Sequence, residues 1–183
     1  ERTLVPDQTP WDLFKAGQND ALTQSQHNGR ELFSGPARCH LCHSPPMFAD
    51  DRFHNIGIRP KMDDVGRYPM TLELDDLGRF KTPSLRSVGL RPRLFHTGRM
   101  PEFSDSPEPI GESLVQQAMT LYMRGGGPHQ NNLSPQMIAL SITDDEARDI
   151  ANFVENALVD PRVRDGLFPF DSPTLFSQGR DRG

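Results

Sequence analysis

Apolar positions recur at helical spacing in three stretches of this chain, and they alternate at strand spacing in none. From about Asp20 to Phe33, Leu22, Leu32 and Phe33 stand among polar residues, and Gly35 and Pro36 stop the segment. From about Glu112 to Met123, Leu114, Val115, Ala118, Met119, Leu121, Tyr122 and Met123 form a broad apolar face, ended by Gly125-Gly126-Gly127-Pro128. The third helix opens on a capping box, Thr143 with Glu146. Ile150, Phe153, Val154, Ala157 and Leu158 then follow at helical spacing until Pro161. Residues 44–94 carry repeated Pro, Gly and Asp without a dominant period, as long loops do. The pattern predicts a mainly α chain. It divides into an N-terminal linker segment (1–18, with the lone Trp11), a helical domain (19–160) and a C-terminal extension (161–183). Phe168, Phe170 and Phe176 of that extension are able to meet a partner surface.

Composition narrows the class. Hydrophobic residues make up 34% of 183, and Gly and Pro number 15 and 17, so the chain is loop-rich yet not apolar-poor enough for disorder. A buried apolar cofactor would supply core surface that the side chains lack. The net charge of −5 argues against a nucleic-acid partner or a polybasic membrane anchor. No apolar run approaches the length of a membrane span. Glu1 rather than Met opens the chain, so a removed leader or upstream segment is expected.

The only two cysteines lie in Cys39-His40-Leu41-Cys42-His43, a C-x-x-C-H sequence. Two thiols one turn apart can add across the vinyl groups of a haem, and the following histidine then supplies a proximal nitrogen to the iron. A thioredoxin-like motif opens a helix after a βαβ pattern, which the sequence lacks. A zinc knuckle needs four ligands at short range, and no second pair follows. A disulfide between cysteines so close would constrain little chain. Covalent haem c, one per chain, is the expectation, and the compartment of its attachment is the bacterial periplasm.

A six-coordinate haem needs a second axial ligand. Met119, Tyr122 and Met123 share one helix face at i, i+3 and i+4, and Met47, Met100, His54 and His96 are further candidates. Such a Met/Tyr face is equally what a helix packs into a core, and spacing alone does not choose.

Several blocks together carry a family resemblance: Gly29–Phe33, Ala37–Cys39, Phe53–Gly57, Gly78–Arg86, Phe95–Arg99, Arg124–Gly126 and the Thr143 capping box. In this order around a C-x-x-C-H, they resemble the C-terminal half of bacterial dihaem cytochrome c peroxidases and MauG-type enzymes. The resemblance covers roughly residues 10–160. It implies a cytochrome c-like helical domain with long loops wrapped around one covalent haem c. In that family an N-terminal haem binds peroxide and the C-terminal haem stores or passes electrons; this chain has only the second C-x-x-C-H.

The resemblance bears on single residues too. Peroxidases carry methionine just before the segment matching Arg124–Gly126, whereas MauG-like members carry tyrosine there. Aligned without a gap, that position is Tyr122, favoured over Met123 as distal ligand, and it implies a haem suited to high-valent iron. The resemblance also points to Arg86 as a propionate partner. It sets His54 and His96 near the haem, with a satisfied loop histidine as the plain alternative. A calcium ion at a domain interface would take backbone carbonyls of Arg91 and Arg93.

The expected function is the electron-transfer half of a peroxide-using dihaem enzyme. It would work with a second haem-bearing domain or chain, and with a redox protein donor or a protein substrate. The alternatives are a stand-alone monohaem electron carrier and a monohaem centre that opens its iron to a small ligand.

Overall fold

The computed structural model describes residues 4–105 and 108–171. Helices dominate: α1 (Pro10–Lys15), α2 (Gln24–Ser34), α3 (Tyr68–Thr71), α4 (Leu114–Met123), α5 (Asp144–Asn152) and α6 (Pro161–Arg164). A π-helical turn, Phe153–Ala157, extends α5. Two two-residue strands, β1 (Phe53–His54) and β2 (Phe80–Lys81), pair antiparallel with Phe53 opposite Lys81 and His54 opposite Phe80. This minimal sheet lies inside the segment read as irregular.

Four helices start on the same local device. Thr9 with Asp12, Thr23 with Gln26, Ser113 with Gln116 and Thr143 with Glu146 each close a reciprocal capping box. Each box satisfies two backbone N–H groups that the first turn leaves without partners. The boxes explain why α2 and α4 begin later than the apolar pattern suggested. Residues 19–21 are instead a separate 3-10 turn. At its other end α4 stops on a Schellman motif. Gly126 N–H donates to Leu121 O and Gly125 N–H to Tyr122 O, both at 3.0 Å, with Gly125 at φ +78°.

The core sits where α2 crosses α5. Gly29 lets the backbones meet: a Cβ built there would stand 2.0 Å from Asp149 O. Phe33, Phe48 and Phe153 pack edge-on around it, joined by Leu22, Val115, Met119, Ile150, Val154 and Leu158. Trp11 of α1 meets both Phe48 and Phe153 edge-on. Residues 9–15 are therefore part of the packed body rather than a linker. The residues just past 160 are likewise tied in. Buried Asp160 accepts Gln8 N–H at 3.0 Å and caps α6 at Arg162 N–H, 2.9 Å. Phe168 is exposed, Arg162 lies over the Phe170 ring, and Phe176 falls outside the described residues.

Candidate haem-binding site

The C-x-x-C-H sequence leaves α2 through a turn rather than continuing it. Arg38 takes left-handed backbone, φ +54°, and a single 3-10 turn covers Cys39–Leu41. Cys42 N–H and His43 N–H both return to Cys39 O, at 3.3 and 2.8 Å. That turn puts both thiols and the imidazole against one cavity of about 380 Å3. Its walls are Phe33, Val115, Ala118, Met119, Ile150 and Val154 from the helices, and Ile56, Ile58, Leu85, Val88 and Leu94 from the loops. Tyr122, His54 and His96 also line it.

His43 is oriented before any metal arrives. Its Nδ1–H donates to Phe48 O at 2.8 Å, a hydrogen bond that fixes the tautomer with Nε2 unprotonated. Burial lowers its pKa, so the neutral ring that a metal needs is the stable form. Phe48 holds that carbonyl in place because its own ring is buried in the aromatic cluster, on a backbone at φ +52°. A second-row hydrogen bond of this kind orients a metal-ligating histidine and raises its basicity.

The thiols are shaped by the same burial. It pushes Cys39 up to about 12; burial together with the charge of Asp50 pushes Cys42 up to about 11. Such a place suits an uncharged thioether better than a thiolate zinc ligand. Two such sulfurs, one free imidazole nitrogen and a mostly apolar chamber fit a covalently held haem c.

Tyr122 sits in this chamber with its phenol pushed up, first by burial and then by Cys39 and Cys42. Its neighbour Met123 turns away: it packs against the core and does not line the cavity. The split follows from the 100° between adjacent helical residues. Met119, one turn back, does line the cavity, while Met47 and Met100 do not. Met137 lines it as well, from an irregular segment whose sequence carries no period to flag it.

His54 is held by Asp50, Nε2 to Oδ2 at 2.8 Å. Burial raises the Asp50 carboxyl, but hydrogen bonds from His54, Arg52 N–H and Thr82 outweigh it and hold it at about 2. Cys42, Asp50 and His54 group closely enough to suggest a metal, yet a thioether at Cys42 would remove the ligand such a site needs. His96 stacks flat on Phe80, centroids 3.6 Å apart, and meets Asp64 at 3.0 Å.

Arg86 corrects the expectation of a propionate partner. Its guanidinium is buried outside the cavity lining and committed to Asp12, with two bonds of 2.8 Å, and to the carbonyls of Pro6 and Pro46. The cations that do line the cavity are Arg38, Arg59, Lys81, Arg91 and Arg93, all exposed. No helix among the described residues is long and apolar enough to cross a membrane.

The fold of this helix-rich chain is similar to that of solved MauG-like and dihaem peroxidase structures. It superposes on a MauG-like protein associated with microbial copper homeostasis with a TM-score of 0.72. The match has 24% identity and spans 91% of this chain and 55% of that one. The diheme peroxidase BthA of Burkholderia thailandensis shares the fold at a TM-score of 0.59 and 16% identity, over 96% and 52% of the two chains.

Sequence comparison agrees. MauG of Methylorubrum extorquens is 30% identical over 88% of this chain and 42% of its own length. The cytochrome c peroxidase IdrP1 of Denitromonas iodatirespirans is 27% identical over 97% and 53%. Over most of its length, the homologues of this chain are cytochrome c peroxidases and MauG proteins, which are haem-containing oxidoreductases. The chain spans about half the length of these relatives. No family model matches it.

Proposed function

We propose that this chain is the electron-transfer half of a two-haem, peroxidase-like or MauG-like oxidoreductase, with hydrogen peroxide as oxidant. The observation that carries the reading is the His43 imidazole. It is pinned through Nδ1 to Phe48 O, with its other nitrogen free beside two thiols and Tyr122 in one apolar cavity. Haem c, when bound, supplies one-electron redox chemistry. Cys39 and Cys42 would anchor it through thioethers, and His43 and Tyr122 would hold its iron. The apolar walls exclude water. A second haem-bearing domain or chain receives or returns the electrons, and a redox protein or a protein substrate is the reductant. That the chain matches about half the length of these relatives is in keeping with this reading. A calcium ion on the Arg91 and Arg93 carbonyls and a periplasmic location belong to the same reading.

The test is purification under native conditions, followed by haem counting per polypeptide and a peroxide-reduction assay. Two covalent haems in one assembly with peroxide turnover support the proposal. A stable single-haem monomer, inert to peroxide, would make the chain a stand-alone electron carrier.

A further inference from the structure

The cavity beside Cys39 and Cys42 has walls of two kinds. Phe33, Val115, Met119 and Ile150 come from helices and are apolar, whereas Arg38, Arg59, Lys81, Arg91 and Arg93 come from loops or β2 and are exposed. An occupant matched to both kinds is apolar over most of its area and anionic along one edge. A haem has that shape, because its two propionates leave the macrocycle on the edge opposite the two vinyl groups. Thioethers at Cys39 and Cys42 would therefore turn the carboxylates away from the C-x-x-C-H turn. Arg38 directly precedes Cys39 and so belongs to the wrong edge. Lys81 is paired with Asp51, and Arg91 donates to Ser84 O at 3.3 Å. Arg59 and Arg93 have no carboxylate partner among the described residues.

Both stand by the turn that carries His96. Gly98 N–H closes that turn on Phe95 O at 3.2 Å, and Arg93 packs along it: a Cβ built on Gly98 would lie 3.4 Å from Arg93 Cδ. Burial lowers the pKa of His96, Asp64 opposes this, and the charge of Arg59 lowers it further, so Arg59 is a close neighbour of the ring. Asp64 is itself taken by His96 at 3.0 Å and leaves that guanidinium to another anion. We propose that Arg59 and Arg93 hold the two haem carboxylates, one each, at the mouth of the cavity. The inference rests on the proposed function, and it gives these two residues the role expected of Arg86. A guanidinium meets a carboxylate through two parallel N–H donors, and a carboxylate left unpaired against the apolar wall would be poorly solvated. Each pair also acts on the iron. A neutralised carboxylate favours the reduced haem, because ferrous iron carries one positive charge fewer than ferric.

The experiment is resonance Raman spectroscopy of the holoprotein, read at the propionate bending bands, with equilibrium reduction against a redox dye beside it. Arg59→Gln and Arg93→Gln should each move a propionate band. Each should also raise the ferric-to-ferrous ratio at a fixed dye potential roughly tenfold, equivalent to ~59 mV for one electron. Arg38→Gln and Lys81→Gln should leave the propionate bands in place. In all four variants the haem should stay covalently attached, with the axial-ligand bands of the unaltered protein, which shows that they fold. Propionate bands left in place by Arg59→Gln or by Arg93→Gln would overturn the assignment. So would bands moved by Arg38→Gln or Lys81→Gln. Absence of covalent haem from the unaltered protein is a different failure, and it removes the proposed function instead.

Discussion

Arg86 and Asp12, 74 residues apart in sequence, face each other fork to fork through two hydrogen bonds of 2.8 Å. The same guanidinium donates to Pro46 O at 2.7 Å, two residues from the Phe48 carbonyl that holds the His43 ring. One buried cation thus ties α1 to the loop behind the candidate iron ligand. Removing it leaves Asp12 and two carbonyls without their donor. Arg86→Ala should cost about 3–5 kcal/mol in denaturant unfolding of the holoprotein. Arg86→Lys should recover little of this, because an ammonium cannot reproduce the fork.

Gly29 makes a sharper test of the α2–α5 crossing. A methyl there would need space that the Asp149 carbonyl occupies, with 2.0 Å between them. Gly29→Ala should lose stability by about 1–3 kcal/mol despite alanine's better helix propensity. Thermal unfolding of the variant beside the unaltered protein reads that loss.

Acid should unfold the protein through carboxylates near the site. Asp50 is held at about 2 against an ordinary 3.8, and Asp12 is also held below that value by Arg86 and Thr9 in spite of its burial. A depressed carboxyl stabilises the fold above its unfolded value and loses that contribution as pH falls through its folded one. Stability should therefore decline between about pH 4 and pH 2. Asp50→Asn should flatten that decline, as read from unfolding midpoints across the range.

Tyr122 and Met123 make opposite predictions for the iron. Tyr122 lines the cavity and Met123 packs into the core. Tyr122→Phe should change the ferric haem spectrum, whereas Met123→Leu should leave it and cost at most about 1.5 kcal/mol of stability. The reverse pattern would remove the tyrosine ligand and with it the likeness to MauG-type ligation.

Much of this was readable from residues alone. The C-x-x-C-H sequence needs no tertiary context, because two thiols and an imidazole on one turn are a local arrangement. The three helices showed through their apolar period, and Thr143 through its capping box. Thr9, Thr23 and Ser113 close the same kind of box, Thr23 and Ser113 with Gln at the third position. Those signals were present and outweighed by the hydrophobic pattern, so helix starts came out early.

What stayed hidden depends on distant partners. Residues 1–18 read as a linker because Trp11 and Phe14 are too few to make a period; only Phe48, Phe153 and Arg86 reveal their place. Arg86 was legible as a specific residue, but its partner Asp12 was not. Apart from Lys81 of β2, the cations that line the cavity, and Met137, come from loops whose path is set by long-range hydrogen bonds such as Gly127 N–H to Ile56 O.

The central claim is a covalent haem on Cys39 and Cys42 with His43 beneath it. The most direct test is the denatured mass and visible spectrum of the natively purified chain. The account predicts that the peptide holding Cys39 and Cys42 is heavier by one haem, which survives denaturation and is lost in Cys39→Ser/Cys42→Ser. A chain carrying both thiols free, or carrying zinc in place of haem, would contradict it.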